Sequence, residues 1–330
     1  MKSILLIGGA GYVGSVLSSH LLKLGYQVHV LDNFVYDNQF AVQQFLGDPD
    51  YKITFGDFCD KQVLSKASNG VTDVIILGGL VGDPITKKFP EESARINEKG
   101  VRDCMDFFKD KLIDKLIFIS TCSNYGLIGE DELANEEFAL NPLSLYAKAK
   151  VSAEKYLMSL KGSANYTGVV LRFATAFGLS PRMRFDLSVS EFVRDVYFGN
   201  ELLVYDEHTW RPYCHVRDFS RLISIVLDAD NDKVDFEVFN AGGEKNNFTK
   251  KMIVDEIVKF VPDGKVKYGQ NGGDPRNYKV DFRKVKQILD FEPHYSVSDG
   301  IKELVMSFDM GFYSDCLDDM DKYGNYALKI

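Results

Sequence analysis

An apolar run at residues 4–7 breaks directly into Gly8-Gly9-Ala10-Gly11-Tyr12-Val13-Gly14, and a helix-like stretch follows at 13–24. Glycines at 8, 11 and 14 permit a tight turn, close backbone approach to a pyrophosphate, and tight helix–sheet packing. The helix start offers free N–H groups and partial positive charge to an anion. A second apolar run, 28–31, ends in Asp32, eighteen residues past Gly14. In this context the turn reads as a dinucleotide cradle rather than an ordinary strand–helix connection. The Asp32 carboxylate accepts hydrogen bonds from ribose hydroxyls and repels a 2′-phosphate. No Arg or Lys lies among residues 32–38, so NAD is expected over NADP.

Further strand-length runs at 52–55, 74–77, 116–120 and 167–171 alternate with helix-like segments at 40–46, 91–108 and 145–160. Strand–helix alternation of this kind builds right-handed βαβ units with helices on both faces of a parallel sheet. After Gly178 the rhythm becomes irregular, with helical stretches at 188–198, 218–227, 249–260 and 297–311. The expected fold is α/β: a Rossmann-type doubly wound parallel sheet with a smaller mixed C-terminal substrate lobe. The NAD-binding part is placed at 1–178 with returns near 213–240, and the mainly substrate-binding lobe at 179–330. The acidic stretch from Asp315 to Tyr326 is expected to be a surface tail.

Composition sets outer limits. With 39 Lys and Arg against 48 Asp and Glu, the formal charge is −9, so a duplex phosphate backbone is repelled and no nucleic acid partner is expected. Five Cys, an odd number in 330 residues, do not make a disulfide framework and suit a reduced, cytoplasmic setting. The longest apolar stretch, from Val74 to Val81, falls far short of the roughly 20 residues of a membrane span. The opening run meets its glycines too soon for a signal peptide. No metal-ligand cluster stands out.

The Gly8/Gly11/Gly14 spacing resembles the short-chain dehydrogenase/reductase superfamily, and later motifs resemble its extended members, the nucleotide-sugar epimerases and dehydratases. Gly56-Asp57-Phe58 is similar to the turn whose Asp meets the adenine. Leu77-Gly78-Gly79-Leu80 resembles the loop beneath the cofactor, and Asn97 with Gly100 the family's Asn-x-x-Gly helix segment. The resemblance covers nearly the whole chain. It implies cofactor contacts from Gly8, Gly11, Tyr12, Val13, Gly14, Asp32, Asn33, Asp57, Phe58, Leu77, Gly78, Gly79, Asn97, Tyr146 and Lys150.

Tyr146-Ala147-Lys148-Ala149-Lys150 sets a phenol and an ammonium four apart, on one helix face. An unperturbed Tyr, with a pKa near 10, is a poor base at neutral pH. A neighbouring ammonium and a cationic nicotinamide ring favour the phenolate. Ser120-Thr121-Cys122-Ser123-Asn124-Tyr125-Gly126 ends the preceding strand and resembles the family's catalytic Ser/Thr segment, with Thr121 in the catalytic place. The family's 4,6-dehydratases carry an Asp-Glu pair after this Thr; here Cys122 and Ser123 stand there, which disfavours dehydration. Relatives that epimerise beside a ketone use a Cys that corresponds by offset to Ser123. Cys122 is read as a packed thiol.

On the substrate side, Trp210-Arg211-Pro212-Tyr213-Cys214-His215-Val216-Arg217-Asp218 is similar to the family's Arg-Asp-Tyr-x-His-Val-x-Asp segment, with Pro212 for the usual Asp. Gly273-Asp274-Pro275-Arg276 resembles a second diphosphate-binding stretch. Arg211 and Arg276 are candidates for the substrate diphosphate through bidentate forks. His215 is read as structural and Asp218 as the N-cap of the next helix. Thr175 replaces the Asn of the family's Arg-x-x-Asn-x-x-Gly, and Arg182 or Arg184 in the cationic loop after Gly178 is available for phosphate or sugar. Thr121 is also counted among the substrate contacts. The resemblance implies oxidation at C4 of a nucleoside-diphosphate sugar, as a 4-epimerase or a 4-dehydrogenase. A 4-keto-sugar reductase, a 4,6-dehydratase and a non-catalytic NAD-sensing module are the alternatives. It also implies a homodimer, through the helices near 91–108 and 145–160.

Overall fold

The computed structural model describes residues 2–129 and 131–329. Twelve strands run in chain order: β1 (Ser3–Ile7), β2 (Gln27–Asp32), β3 (Tyr51–Phe55), β4 (Asp73–Ile76), β5 (Lys115–Thr121), β6 (Thr167–Phe173), β7 (Thr175–Phe177), β8 (Leu202–Tyr205), β9 (Trp210–His215), β10 (Glu237–Ala241), β11 (Asn247–Thr249) and β12 (Val266–Gly269). Seven form one sheet in the order β10-β6-β5-β4-β1-β2-β3, parallel throughout. Every residue of β4, β5 and β6 is buried, as a sheet covered on both faces requires. Strand order reverses between β1 and β4, so a crevice opens at their carboxyl ends, where ligands of such sheets bind.

The helix Tyr12–Lys23 crosses from β1 to β2. The expected segment 91–108 is one continuous helix with a π-helical stretch at Ala94–Gly100. That wide turn lets Asn97 clamp the loop after β4: its Oδ1 accepts from Leu80 N at 2.8 Å and its Nδ2 donates to Leu80 O at 2.9 Å. Residues 40–46 form a 3₁₀ turn, Gln39–Phe45, instead of an α-helix. The preceding Asn38 spends its amide on Ala10 O, so it does not cap that segment.

From β7 onward, a three-stranded sheet (β11-β9-β7) and the pair β12-β8 pack with the helices Ser188–Tyr197, Lys250–Phe260 and Val297–Asp309. Phe177, Phe185, Val189, Ile257, Leu304 and Phe308 belong to the core they share. No helix of the described residues is long and apolar enough to cross a membrane.

Two expectations are corrected here. The helix Val216–Asp228 is capped by His215, whose Nδ1 accepts from Arg217 N. Asp218 lies inside that helix, fully buried, and accepts from His294 N and Tyr295 N at 3.0 Å each. The acidic stretch 315–326 is not a solvated tail. Cys316, Tyr323 and Asn325 are buried, because its aromatic and small residues pack although its carboxylates stay wet.

Candidate active site

Gly8, at φ +78°, closes the crevice floor: a Cβ there would stand 2.5 Å from Gly78 Cα, so the turns after β1 and β4 meet glycine to glycine. A Cβ on Gly14 would lie 2.5 Å from Gly9 O. Gly11 differs, since its Cβ would meet only Gly8 O at 3.4 Å. Its bareness leaves room in the groove rather than serving protein packing. Asp32 Oδ2 accepts from Ala10 N (3.0 Å) and Oδ1 from Phe34 N (2.9 Å). Burial pushes its carboxyl up, and backbone N–H groups of Phe34, Ala10 and Asn33 pull it back. Among the described residues, the buried Tyr36 hydroxyl and Asn38 Oδ1 have no hydrogen-bond partner. Orphaned donors and acceptors beside the Asp32 carboxylate and a bare helix start fit an adenine dinucleotide.

Tyr12, Val13, Asn33, Asp57, Phe58, Leu77, Gly78 and Gly79 face the same cavity, which measures about 620 Å³. Asp57 is held by Cys59 N and by Arg95, at 2.8 Å from the latter. Asn97 does not line the cavity; it acts on it through Leu80.

Thr121 ends β5 inside this cavity. Ser144 caps the helix Leu145–Ser159 by accepting from Ala147 N, which puts Tyr146 in the first turn and Lys150 one turn later. Lys150 is 4% exposed. Its Nζ donates to Ile119 O at 2.7 Å and lies 5.9 Å from the centre of the Tyr146 ring. Burial lowers the Lys150 ammonium to about 8, while Glu154 pulls it back up. Burial also pushes the Tyr146 phenol up; Arg184 and Arg276 favour the phenolate, whereas Asp83 and Tyr278 oppose it. Thr121 Oγ1 donates to Ser123 Oγ at 3.0 Å, and the Tyr278 hydroxyl reaches the same oxygen at 3.4 Å. Cys122 turns away from the cavity, 1% exposed, its thiol on Arg172 O at 3.1 Å. Burial raises that thiol well above its ordinary value, so it is not a reactive thiolate.

At the other end, Arg211 and Arg276 converge on Asp274, and Arg276 also pairs with Asp83 at 3.1 Å. Burial opposes the Asp274 charge, but the two arginines hold its carboxyl far below the usual range. Arg184 is paired with Asp186, Arg182 is buried against Tyr36, and Thr175 opens β7 at the cavity wall. His215 is buried with its Nε2 2.7 Å from Glu303. Sequence reasoning missed Tyr36, Asn38, Ser123 as a lining hydroxyl, Tyr278, Asn325 and Tyr326, all of which face the cavity. Tyr36 and Asn38 follow Asp32 closely and Tyr278 stands two residues past Arg276, so proximity to a matched motif was the available signal. Asn325 and Tyr326 carry none. Among the described residues no group of three His, Cys, Asp or Glu is placed to hold a metal ion.

The family model "NAD dependent epimerase/dehydratase family" matches residues 4–242. A UDP-glucuronate 4-epimerase of Thermodesulfobacterium geofontis is 26% identical over 318 residues, covering 92% of this chain and 95% of that protein. A UDP-N-acetyl-alpha-D-glucosaminuronate decarboxylase of Bacillus cytotoxicus is also 26% identical, covering 93% and 98%. In fold, the UDP-glucuronic acid 4-epimerase of Bacillus cereus, solved with UDP-glucuronic acid and NAD, superposes with a TM-score of 0.83 at 23% identity. That match covers 94% of this chain and 100% of the other. With the glycine turn, the Asp32 carboxylate and the Tyr-x-x-x-Lys pair facing one cavity, the match over 4–242 places this chain in the NAD dependent epimerase/dehydratase family, and its cofactor is NAD.

Proposed function

We propose that the protein oxidises C4 of the sugar of a nucleoside-diphosphate sugar, as a 4-epimerase or a 4-dehydrogenase. The observation that carries this reading is the meeting of Thr121, Tyr146 and Lys150 in one cavity with the dinucleotide cradle and the arginines 211 and 276. NAD, when bound, supplies the hydride acceptor. Tyr146 takes the hydroxyl proton, Thr121 orients that hydroxyl, and Lys150 lends positive charge to the phenolate as it forms. Arg211 and Arg276 bind the substrate diphosphate by exchanging Asp274 and Asp83 for phosphate oxygens. The relatives' names support a uridine diphosphate sugar as the substrate class. Elimination is disfavoured because Ser123, not a carboxylate, follows on the cavity wall. The homodimer and the cytoplasmic setting belong to the same proposal. The first is supported by the packing of the helix Val101–Lys109 beside Leu145–Ser159, which leaves their outer faces open to a second copy.

The test is incubation with a panel of nucleotide sugars, following reduced nicotinamide by absorbance and products by NMR. Stoichiometric NADH marks dehydrogenation, and C4 inversion without net NADH marks epimerisation. No change in any sugar of the panel refutes the proposal.

A further inference from the structure

We propose that Arg182 and the C-terminal segment 323–329 form a clasp over the diphosphate of the bound dinucleotide and hold it in the cleft between turnovers. This rests on the NAD-binding reading and not on the identity of the sugar.

The loop after β7 rides on the start of the helix Tyr12–Lys23. The Tyr12 hydroxyl donates to Gly178 O (2.5 Å), Ser180 Oγ donates to Tyr12 O (2.7 Å), and Arg182 N donates to Ser180 Oγ (3.2 Å). That helix start is where a dinucleotide diphosphate meets free backbone N–H groups. The Arg182 guanidinium lies 5.4 Å from the Tyr36 ring centre and is 1% exposed. Arg184, Arg211 and Arg276 each have a carboxylate partner. Among the described residues Arg182 has none, only the carbonyls of Met183 (3.3 Å) and Gly324 (2.9 Å). A buried guanidinium without an anion is costly, and its fork matches phosphate oxygens. Two further polar atoms in that corner, the Tyr36 hydroxyl and Asn38 Oδ1, are buried without partners. Arg211 and Arg276 gather instead at Asp274 and Tyr278, toward Ser123. The two ends of the cleft thus serve two diphosphates, and Arg182 belongs to the cofactor's.

The C-terminal segment fastens this loop across the groove. Phe185 N donates to Tyr323 O (2.7 Å), and Asn325 N to Asp186 (3.3 Å). On the far side Asn325 Nδ2 donates to Val81 O (3.1 Å), Lys88 Nζ to Tyr326 O (3.1 Å), and Lys329 N to Val35 O (2.9 Å). The bridge therefore joins the Arg182 loop to the loops after β2 and β4, which flank the dinucleotide groove. A cofactor beneath it leaves only when the bridge opens. Such retention suits a reaction that returns the hydride to the same sugar.

Calorimetric titration of NAD and, separately, of UDP into wild-type protein, Arg182→Met, and a chain lacking residues 325–330 tests the clasp. Arg182→Met is expected to weaken NAD binding by about ten- to a hundredfold, with UDP affinity within about threefold. The shortened chain is expected to release NADH at least about tenfold faster in a stopped-flow chase. Unchanged NAD affinity in Arg182→Met, or a loss confined to UDP, overturns the proposal, as does an unchanged release rate in the shortened chain. If Arg182→Met does not fold, Arg182→Lys keeps the charge without the fork. It is expected to lose several-fold for NAD alone, and no loss overturns the clasp. Wild-type protein that binds NAD but turns over no nucleotide sugar sinks the proposed reaction and leaves the clasp standing.

Discussion

Lys150 shows how far one residue's chemistry can work against the fold that carries it. Its ammonium falls from the ordinary 10.5 to about 8 because it is buried. Below pH 8 both folded and unfolded chains carry the proton, and the folded one bears the desolvation cost. Between 8 and 10.5 the unfolded chain binds a proton that the folded chain does not, so stability rises with pH across that window. The difference is worth ~3 kcal/mol. Lys150→Met removes that cost and forfeits the bond to Ile119 O, worth ~1 kcal/mol. This variant is expected to be inactive yet to melt about 2–5 °C higher at pH 7, with the gap shrinking by pH 10. Scanning calorimetry at both pH values decides it; a lower melting point at pH 7 refutes the account. Tyr146→Phe removes only the hydroxyl of the proposed base, so turnover should fall by about a thousandfold or more while NAD stays bound. Equilibrium dialysis beside the rate assay separates the two effects.

The glycines divide by what their missing Cβ would meet. Gly14→Ala drives a methyl into Gly9 O and should lower the melting point by several degrees. Gly11→Ala meets nothing tighter than 3.4 Å, so it should melt like wild type. Its methyl intrudes on the groove, and NAD affinity should drop at least about tenfold. Equal melting losses in the two variants would contradict this division.

Among the elements, the helix Leu145–Ser159 joins the Tyr146–Lys150 pair at the cavity to the core. One turn past Lys150, Glu154 is 3% exposed and takes both Nε and Nη2 of Arg172 from β6, with Nη2 at 2.8 Å. Asn124 Nδ2 donates to it at 2.7 Å, and Ser120 Oγ donates to it as well. Glu154→Gln leaves the Arg172 guanidinium buried without its anion and should cost about 3 kcal/mol in urea unfolding. It also removes the charge that lifts Lys150, so the alkaline limb of the rate profile should move to lower pH. An unmoved limb would mean Glu154 acts only on the fold. The strands around this helix were legible because burial on both faces makes continuous Val/Ile/Leu runs, as in β4 to β6. The short strands were not: β8 alternates buried and exposed over Leu202–Tyr205, and β7 and β11 have three residues each, too few for any period. The cradle and the Tyr-x-x-x-Lys pair were legible because their parts are neighbours in the chain. Asn325 and Tyr326 reach the cavity singly from the far end of the sequence, where acidic composition masked Cys316 and Tyr323 as anchors.

Taken whole, the molecule shares its core across the expected division near residue 178. The helix Val216–Asp228 packs along Tyr12–Lys23, and Phe219, Leu222, Ile223 and Val226 lie in one cluster with Ile4, Leu17 and Leu21. β10 pairs with β6 over five residues, so the sheet's seventh strand also comes from beyond that point. A chain ending at Gly178 would leave one side of β6 as an unpaired, mostly apolar edge and bare the inner face of the first helix. The buried area lost with four large side chains alone is worth several kcal/mol at about 1.5–3 kcal/mol each, comparable to the whole margin of a native protein. Residues 1–178 alone are therefore expected to aggregate or to lack fixed tertiary structure, with little near-ultraviolet dichroism and no NAD binding. The full chain should melt in one calorimetric transition, its van't Hoff and calorimetric enthalpies agreeing. Two separated transitions, with the first sparing NAD binding, would show instead that the sheet closes without β10 and that the C-terminal lobe only leans on it.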